Sequence, residues 1–200
     1  MIFRNEYFFL SNMFPCVISY KGKTYKCVES AFQAQKCEER ASEFEELNGF
    51  NAKELGKKVK LRKDWEKVKV GIMREILIEK FSQNPTLLIY LKEVNVPIIE
   101  DNTWGDTFWG MCNRKGENNL GKLLEEIKAM KIKKIYIKIS DVCQFRDIDD
   151  IVRNYSGDIP LMVQAGNKMF KFNRSVDGSM KFFRNIGRYC GERFVKISLS

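Results

Sequence analysis

The residues best suited to chemistry stand in the segment Cys27-Val28-Glu29-Ser30-Ala31-Phe32-Gln33-Ala34-Gln35-Lys36. On a helix, Glu29, Phe32 or Gln33, and Lys36 fall at i, i+3/i+4 and i+7 and share one face. A carboxylate, an aromatic ring or amide, and an ammonium in line could bind and transform a small polar substrate. The same spacing also describes an ordinary helix with Glu29 near its positive end, Phe32 in the core and Lys36 in water. Spacing leaves both readings open. A second segment, Glu100-Asp101-Asn102-Thr103-Trp104-Gly105-Asp106-Thr107-Phe108-Trp109-Gly110, sets two tryptophans in a Gly-rich loop. A loop buries an indole poorly, and its N–H needs a partner. Either Trp104 and Trp109 stack on a ligand beside Asp106, or they anchor the loop to the fold. A third segment, Arg114-Lys115-Gly116-Glu117-Asn118-Asn119-Leu120-Gly121, runs a basic loop into a helix start. Unpaired N–H groups there suit a phosphate, although capped helices after polar loops are commonplace.

Composition narrows what these groups can do. The chain has no histidine. That excludes Ser-His-Asp and Cys-His nucleophile systems, His-based zinc hydrolysis and the 2-His-1-carboxylate iron site. Acid–base chemistry falls to Glu, Asp, Lys, Tyr or Cys. The net charge of +9 favours anionic partners, either nucleic acid or phosphorylated metabolites, though a lysine-rich proteome yields basic proteins without such a role. Six cysteines are scattered without a C-x-x-C pair, which argues against a zinc cluster or a disulfide framework. No apolar run approaches the ~20 residues of a membrane span. Met1 to Glu6 lacks the basic and apolar regions of a signal peptide. The expectation is a cytoplasmic protein with reduced thiols.

The elements that must position these residues follow from periodicity. Tyr7 to Tyr25, aromatic and β-branched, reads as short strands, the last two paired across Gly22. A helix is expected from Val28, with no Gly or Pro before Gly49. Asn51 is a candidate cap for a short helix through Leu61, and Asp64 for a longer one carrying Trp65, Val68, Ile72, Ile76 and Phe81. Asn84-Pro85 stops that helix, and Thr86 to Val94 adds a turn or two. Pro97 to Glu100 reads as a short buried strand. Asn119 is expected to cap a last amphipathic helix, burying Leu120, Leu123, Leu124 and Ile127. After Met130 the pattern shifts to strand (135–139), helix (145–155), strands (159–165 and 168–173), helix (176–190) and strand (192–198). The expected class is α+β: a mostly helical domain with short strands over 1–131, and a small β-α-β-β-α-β module over 132–200.

Taken in order, these segments resemble the NADAR family. The matching stretches are Phe9-Leu10-Ser11-Asn12, Val28 through Lys36, Arg62 through Lys69, then Met73, Lys80 and Phe81, Glu100 through Gly110, and Gly116 through Gly121. They cover about residues 5–130. Two departures stand out. Ser30 occupies a position where the family often has histidine, and Met111-Cys112-Asn113-Arg114 replaces glycines. The resemblance implies an N-glycosidase acting on a ribose C1 bonded to an exocyclic nitrogen. The substrate would be a phosphorylated ribosyl compound such as a riboflavin-biosynthesis intermediate. A rival substrate is guanine carrying ADP-ribose, in DNA or RNA; a non-catalytic ADP-ribose or nucleotide binder is a further alternative. The resemblance casts Lys36 as nucleophile, Glu29 as proton carrier and Asp106 as charge stabiliser. Asn12, Phe32, Gln33, Trp104, Trp109 and Gly110 would contact substrate, with Arg114, Lys115, Asn118 and Asn119 at its phosphate. No metal or organic cofactor is implied. The segment after Gly157 weakly resembles a small module near the end of bacterial replicative polymerase α subunits, which implies interaction rather than chemistry.

Overall fold

The computed structural model describes residues 3–139, 161–165, 168–172 and 194–199. The fold class is α+β. Packing divides the chain into two compact units, Met1–Phe81 with Leu87–Ala129, and Ser82–Thr86 with Met130–Ser200.

The aromatic run near the N-terminus is not a strand. Asn5–Leu10 winds into a 3₁₀ helix. Phe9 and Leu10 are both buried. The anchor of this segment is Lys80, which is fully buried and donates from Nζ to the carbonyl oxygens of Phe9 (2.5 Å) and Ser11 (3.1 Å). Burial pulls the Lys80 ammonium down to about 8. The expected hairpin is present: β1 (Ile18–Tyr20) pairs antiparallel with β2 (Lys23–Tyr25). Lys21 and Gly22 both take positive φ, 49° and 75°, as a two-residue primed turn requires.

Helix α1 (Val28–Ala34) is shorter than expected, ending with Gln35 as C-cap. All seven of its residues are buried, so it lies at the centre of this unit. A 3₁₀ helix, Glu38–Phe44, follows it. Helix α2 (Gly49–Gly56) starts before Asn51 and ends before Leu61. Its cap is Asn48, whose side chain accepts the Asn51 N–H at 2.9 Å. Helix α3 (Trp65–Gln83) begins where expected, but Asp64 spends its carboxylate on the Arg62 guanidinium at 2.6 and 3.0 Å. Helix α4 (Pro85–Glu93) carries Leu88 and Leu91 into the core, as α3 carries Ile76 and Leu77.

Pro97 to Glu100 is not a ladder strand. The Asn118 side chain substitutes for a neighbouring strand, donating to the Ile98 carbonyl (3.0 Å) and accepting the Glu100 N–H (3.0 Å). The Ile98 N–H goes to Glu125 (2.9 Å). A two-residue strand β3 (Asp101–Asn102) then pairs in parallel with β4 (Met111–Cys112). Helix α5 (Asn119–Ala129) buries Leu120, Leu123, Leu124 and Ile127, as its periodicity predicts, and Glu126 ties it to Arg74 of α3 at 2.6 and 2.9 Å. Asn119 is its first residue rather than its cap.

In the second unit, β5 (Ile132–Ile139), β6 (Leu161–Ala165), β7 (Lys168–Phe172) and β8 (Phe194–Leu199) form one sheet in the order β7-β6-β5-β8. Strand β5 runs parallel to β6 and antiparallel to β8, with Ile135 opposite Leu161 and Ile197. The expected helices 145–155 and 176–190 lie outside the described residues. Among the described residues no helix is long and apolar enough to cross a membrane.

Removing the Lys80 anchor should matter for stability. Lys80→Ala strands two buried backbone acceptors, and a loss of about 2–3 kcal/mol is expected from urea unfolding. Limited proteolysis should then cut preferentially within residues 5–14; an unchanged midpoint and cleavage pattern would remove the anchor role.

Candidate active site

A cavity of about 470 Å³ opens in the first unit, between α1, α2, the N-terminal segment and the loop joining β3 to β4. Its volume falls within the ~300–1,000 Å³ typical of small-molecule sites.

One wall is α1 and the turn after it. Cys27 and Ser30 build the start of this helix by reciprocal capping: Cys27 Sγ accepts the Ser30 N–H (3.4 Å) and Ser30 Oγ accepts the Cys27 N–H (3.2 Å). Ser30 therefore serves the helix end and does not line the cavity. Glu29 and Gln33, one turn apart, do line it, and Gln33 Nε2 donates to Glu29 Oε1 at 2.8 Å. Lys36 lies just past the helix end. Its own N–H still bonds the Gln33 carbonyl (3.2 Å), while its carbonyl accepts the Arg62 N–H (2.9 Å). This extra turn keeps Lys36 on the cavity side although α1 stops at Ala34. The Lys36 ammonium stands 5.8 Å from the Trp65 ring centroid.

Aromatic rings make the floor. Phe32 packs against Trp65 at 4.9 Å and edge-on against Trp109 at 5.5 Å, and Trp109 in turn meets Phe108 at 5.0 Å. Asp106 shapes the loop that holds Trp109: its Oδ1 accepts the N–H groups of Phe108 (3.0 Å) and Trp109 (2.9 Å). Asn102 clasps Asp106 from below through both its backbone groups, at 2.7 and 3.1 Å. Gly110 lets this loop close. A Cβ there would fall 2.4 Å from the Glu100 carbonyl oxygen.

The electrostatics set the acid and the amine toward their neutral forms. Burial raises the Glu29 carboxyl above its ordinary value, and Asp106 adds to this, against lowering by the Gln33 hydrogen bond and by Lys53 and Lys36. Burial also lowers the Lys36 ammonium, with Lys53 pushing the same way and Glu29 opposing. Glu100 goes up to about 7, chiefly by burial and then by the neighbouring charges of Asp106 and Glu29. Its Oε2 is buried without a hydrogen-bond partner, as is Asn12 Oδ1, and both residues line the cavity.

Of the residues singled out in the sequence, the fold brings together Asn12, Glu29, Phe32, Gln33, Lys36, Trp104, Asp106 and Trp109 around this one cavity. Gly110, Arg114, Lys115, Asn118 and Asn119 are not among its lining residues. Asn113 and Arg114 turn a tight exposed hairpin with positive φ, closed by the Cys112–Lys115 pairing. The Asn118 amide is occupied by Ile98 and Glu100, and the Asn119 amide by Phe108 (2.9 Å) and Glu117 (2.9 Å). The sequence reading did not single out Glu100, Lys53 or Phe50. Glu100 heads the Gly-Trp segment and was legible as its acid. Lys53 and Phe50 sit on an unremarkable polar helix, and only tertiary packing reveals them.

Comparison with known proteins follows the same boundary. The NADAR domain model matches residues 2–130. The N-glycosidase YbiA of Shigella sonnei is 35% identical over 130 residues, covering 62% of this chain and 81% of that protein. The riboflavin biosynthesis protein VVA0006 of Vibrio vulnificus is 30% identical over 126 residues, covering 60% of this chain and 34% of that longer protein. The NMR structure of Escherichia coli YbiA superposes with a TM-score of 0.56 at 34% identity, covering 62% of this chain and 77% of that one. Fold, cavity and relatives together define an enzyme of the N-glycosidase class. The chain belongs to the NADAR family.

Glu100 yields a pH-dependent prediction. Its folded value near 7 lies above that of an unfolded glutamate, so its favourable contribution is present below about pH 4.5 and fades as pH rises through 7. Glu100→Gln cannot ionise and should match wild type at pH 4, then exceed it by up to about 3 kcal/mol at pH 8.5 in chemical unfolding. Equal stability of the two proteins at both pH values would show that Glu100 titrates normally.

Proposed function

We propose that the enzyme cleaves the bond between C1 of a phosphorylated ribose and an exocyclic nitrogen of an attached base, through a Schiff base on Lys36. The observation that carries this reading is the joint placement of Glu29 and Lys36 on one wall of the cavity, each shifted toward its neutral form. A neutral amine is a nucleophile and a neutral carboxylic acid is a proton donor, and the proposed reaction needs both at once.

The substrate is a glycosylamine, whose sugar ring opens to an imine. Glu29 protonates that imine, and the Lys36 amine adds to C1. Glu29 then takes a proton from the Lys36 nitrogen and delivers it to the base nitrogen. The bond from C1 to the base breaks, leaving a Lys36 Schiff base. Glu29, again a carboxylate, draws a proton from the water that attacks C1. Collapse of the resulting carbinolamine frees Lys36 and releases the sugar as an aldehyde, which recloses. Net, one water is consumed and the base amine and the sugar phosphate are released. Asp106 offers negative charge to the iminium at C1. Trp109, Phe32 and Trp65 provide an aromatic floor on which the departing base can lie.

A ribosylamino-pyrimidine phosphate is the favoured substrate. The cavity is of small-molecule size, and a relative carries the name of a riboflavin biosynthesis protein. Guanine bearing ADP-ribose has the same glycosylamine linkage and is the competing substrate.

Lys36→Ala should lose at least a thousandfold in kcat against the pyrimidine substrate, with the fold intact by circular dichroism. Borohydride added during turnover should attach the reduced sugar to the peptide containing Lys36. Near-normal hydrolysis by Lys36→Ala would eliminate the Schiff base. Glu29→Gln should fall by more than a hundredfold, whereas a loss under tenfold would leave Glu29 only a binding role. Release of ADP-ribose from modified guanine, with the pyrimidine untouched, would reassign the substrate.

A further inference from the structure

Gln33 is the residue of the α1 wall that neither folding nor the steps proposed above account for. It is 5% exposed, as enclosed as the apolar residues around it. Among the described residues its amide makes one side-chain hydrogen bond, from Nε2 to Glu29 Oε1 at 2.8 Å. Its Oε1 is buried without a partner. A sealed acceptor with no donor works against folding, and an apolar side chain of the same length would fill the space without that cost. What the amide does have is Glu29, four residues earlier on the same helix face.

Two features fix the direction of that amide. Gly56, the last residue of α2, lies against it: a Cβ at Gly56 would fall 1.9 Å from Gln33 Oε1, 2.7 Å from Cδ and 3.2 Å from Cβ. Any side chain at position 56 would drive the amide away from Glu29. Turning the amide over would set Gln33 Oε1 against Glu29 Oε1, oxygen to oxygen, which a carboxylate does not tolerate. Oε1 of Glu29 is thus held as an acceptor. Its Oε2 makes no hydrogen bond among the described residues, and Glu29 lines the cavity, so Oε2 is the oxygen left for a substrate. A carboxyl that accepts an N–H on one oxygen carries its proton on the other. The same hydrogen bond favours the ionised form and offsets part of the rise that burial causes in Glu29.

We infer that Gln33 is a positioning residue for proton transfer: it holds Glu29 Oε1 as a fixed acceptor, so that every proton Glu29 exchanges during the reaction travels on Oε2. The inference rests on the reading of Glu29 as proton carrier, and it replaces substrate contact as the role of Gln33. In the steps proposed above, Oε2 gives its proton to the imine nitrogen and takes one from the Lys36 nitrogen. It gives that proton to the base nitrogen and then takes one from water, which returns Glu29 to its starting form. Gln33 neither gains nor loses a proton. Its amide aims the acid in the first half of the cycle and supports the carboxylate that must act as a base in the second.

The test compares full-length wild type, Gln33→Met, Glu29→Gln and the double variant on whichever of the two glycosylamines named above the enzyme cleaves. Gln33→Met should lose about tenfold in kcat with KM little changed. The limb of its pH profile that Glu29 sets, recognised as the limb missing from Glu29→Gln, should move up by about one pH unit. In the Glu29→Gln background the same substitution should cost less than about twofold, because no carboxyl is left to orient. Gly56→Ala displaces the amide while leaving Gln33 in place, and it should reproduce the upward shift. Methionine removes a sealed acceptor, so Gln33→Met should melt no lower than wild type. A lowered melting temperature with an unmoved pH profile would make Gln33 merely structural. A profile unmoved in both Gln33→Met and Gly56→Ala, or an equal loss with and without the Glu29 carboxyl, overturns the inference. If Glu29→Gln is inactive while Gln33→Met keeps the wild-type profile, the inference alone is lost. If Glu29→Gln retains its activity, the proton carrier is lost and with it the proposed mechanism.

Discussion

Burying α1 on every side obliges the protein to satisfy a carboxylate within its core, and much of the first unit is arranged around that demand. Glu29 has only 8% of its surface in contact with solvent. An isolated charge there would be costly, so burial raises the carboxyl above its ordinary value while the Gln33 amide meets it with a hydrogen bond. The cost of placing an acid in a dry wall is also the source of its use, because the same burial shifts the carboxyl toward the protonated form that can donate. Lys36 experiences the mirror effect from the same burial, and the helix with the turn after it carries both groups on the cavity side.

Several devices keep this wall in place, and few of them are apolar contacts alone. Cys27 and Ser30 close the start of α1. The Asn12 carbonyl accepts the Glu29 N–H (2.9 Å), coupling the helix to the N-terminal segment, which Lys80 anchors from the opposite side. Gly49 and Gly56 let α2 approach until side chains meet backbone. In the loop that bears Trp109, Asp106, Asn102 and Asn118 replace regular secondary structure with side-chain hydrogen bonds. A buried loop without such partners would leave peptide groups unpaired. These polar residues are thus scaffold as well as chemistry, and Asp106 belongs to both.

The cavity mixes charges rather than presenting one sign. Arg4, Lys36, Lys53 and Lys69 face Glu29, Glu100, Asp101 and Asp106 around its lining. The cations favour an anionic ligand, while the acids suit a centre that becomes positively charged during reaction. Lys69 is partly committed elsewhere, bound to Glu66 and resting 3.7 Å from the Phe108 ring centroid. The overall charge of +9 is consistent with attraction of a phosphorylated partner, but the distribution inside the cavity carries the chemical information.

The features legible in the amino-acid sequence alone are local and periodic. The Lys21-Gly22 turn follows from the need for positive φ, the buried face of α5 from its leucine spacing, and the ordered motifs suffice to name the family. The absence of histidine limits the mechanism by residue type alone. The ends of elements were less legible: Asn51, Asp64 and Asn119 each looked like a cap, yet Asn48 capped α2, Arg62 claimed Asp64, and Phe108 claimed the Asn119 side chain. Competition for one polar side chain is decided by neighbours distant in sequence. The same holds for the site. Which residues of the Gly-Trp and Arg-Lys segments face a ligand depends on how the loop folds over α1, and that is where Arg114 and Lys115 were turned outward. Lys53 and Phe50 had no local signal at all, because they reach the cavity only when α2 packs against α1, where Gly56 leaves room for the Gln33 side chain.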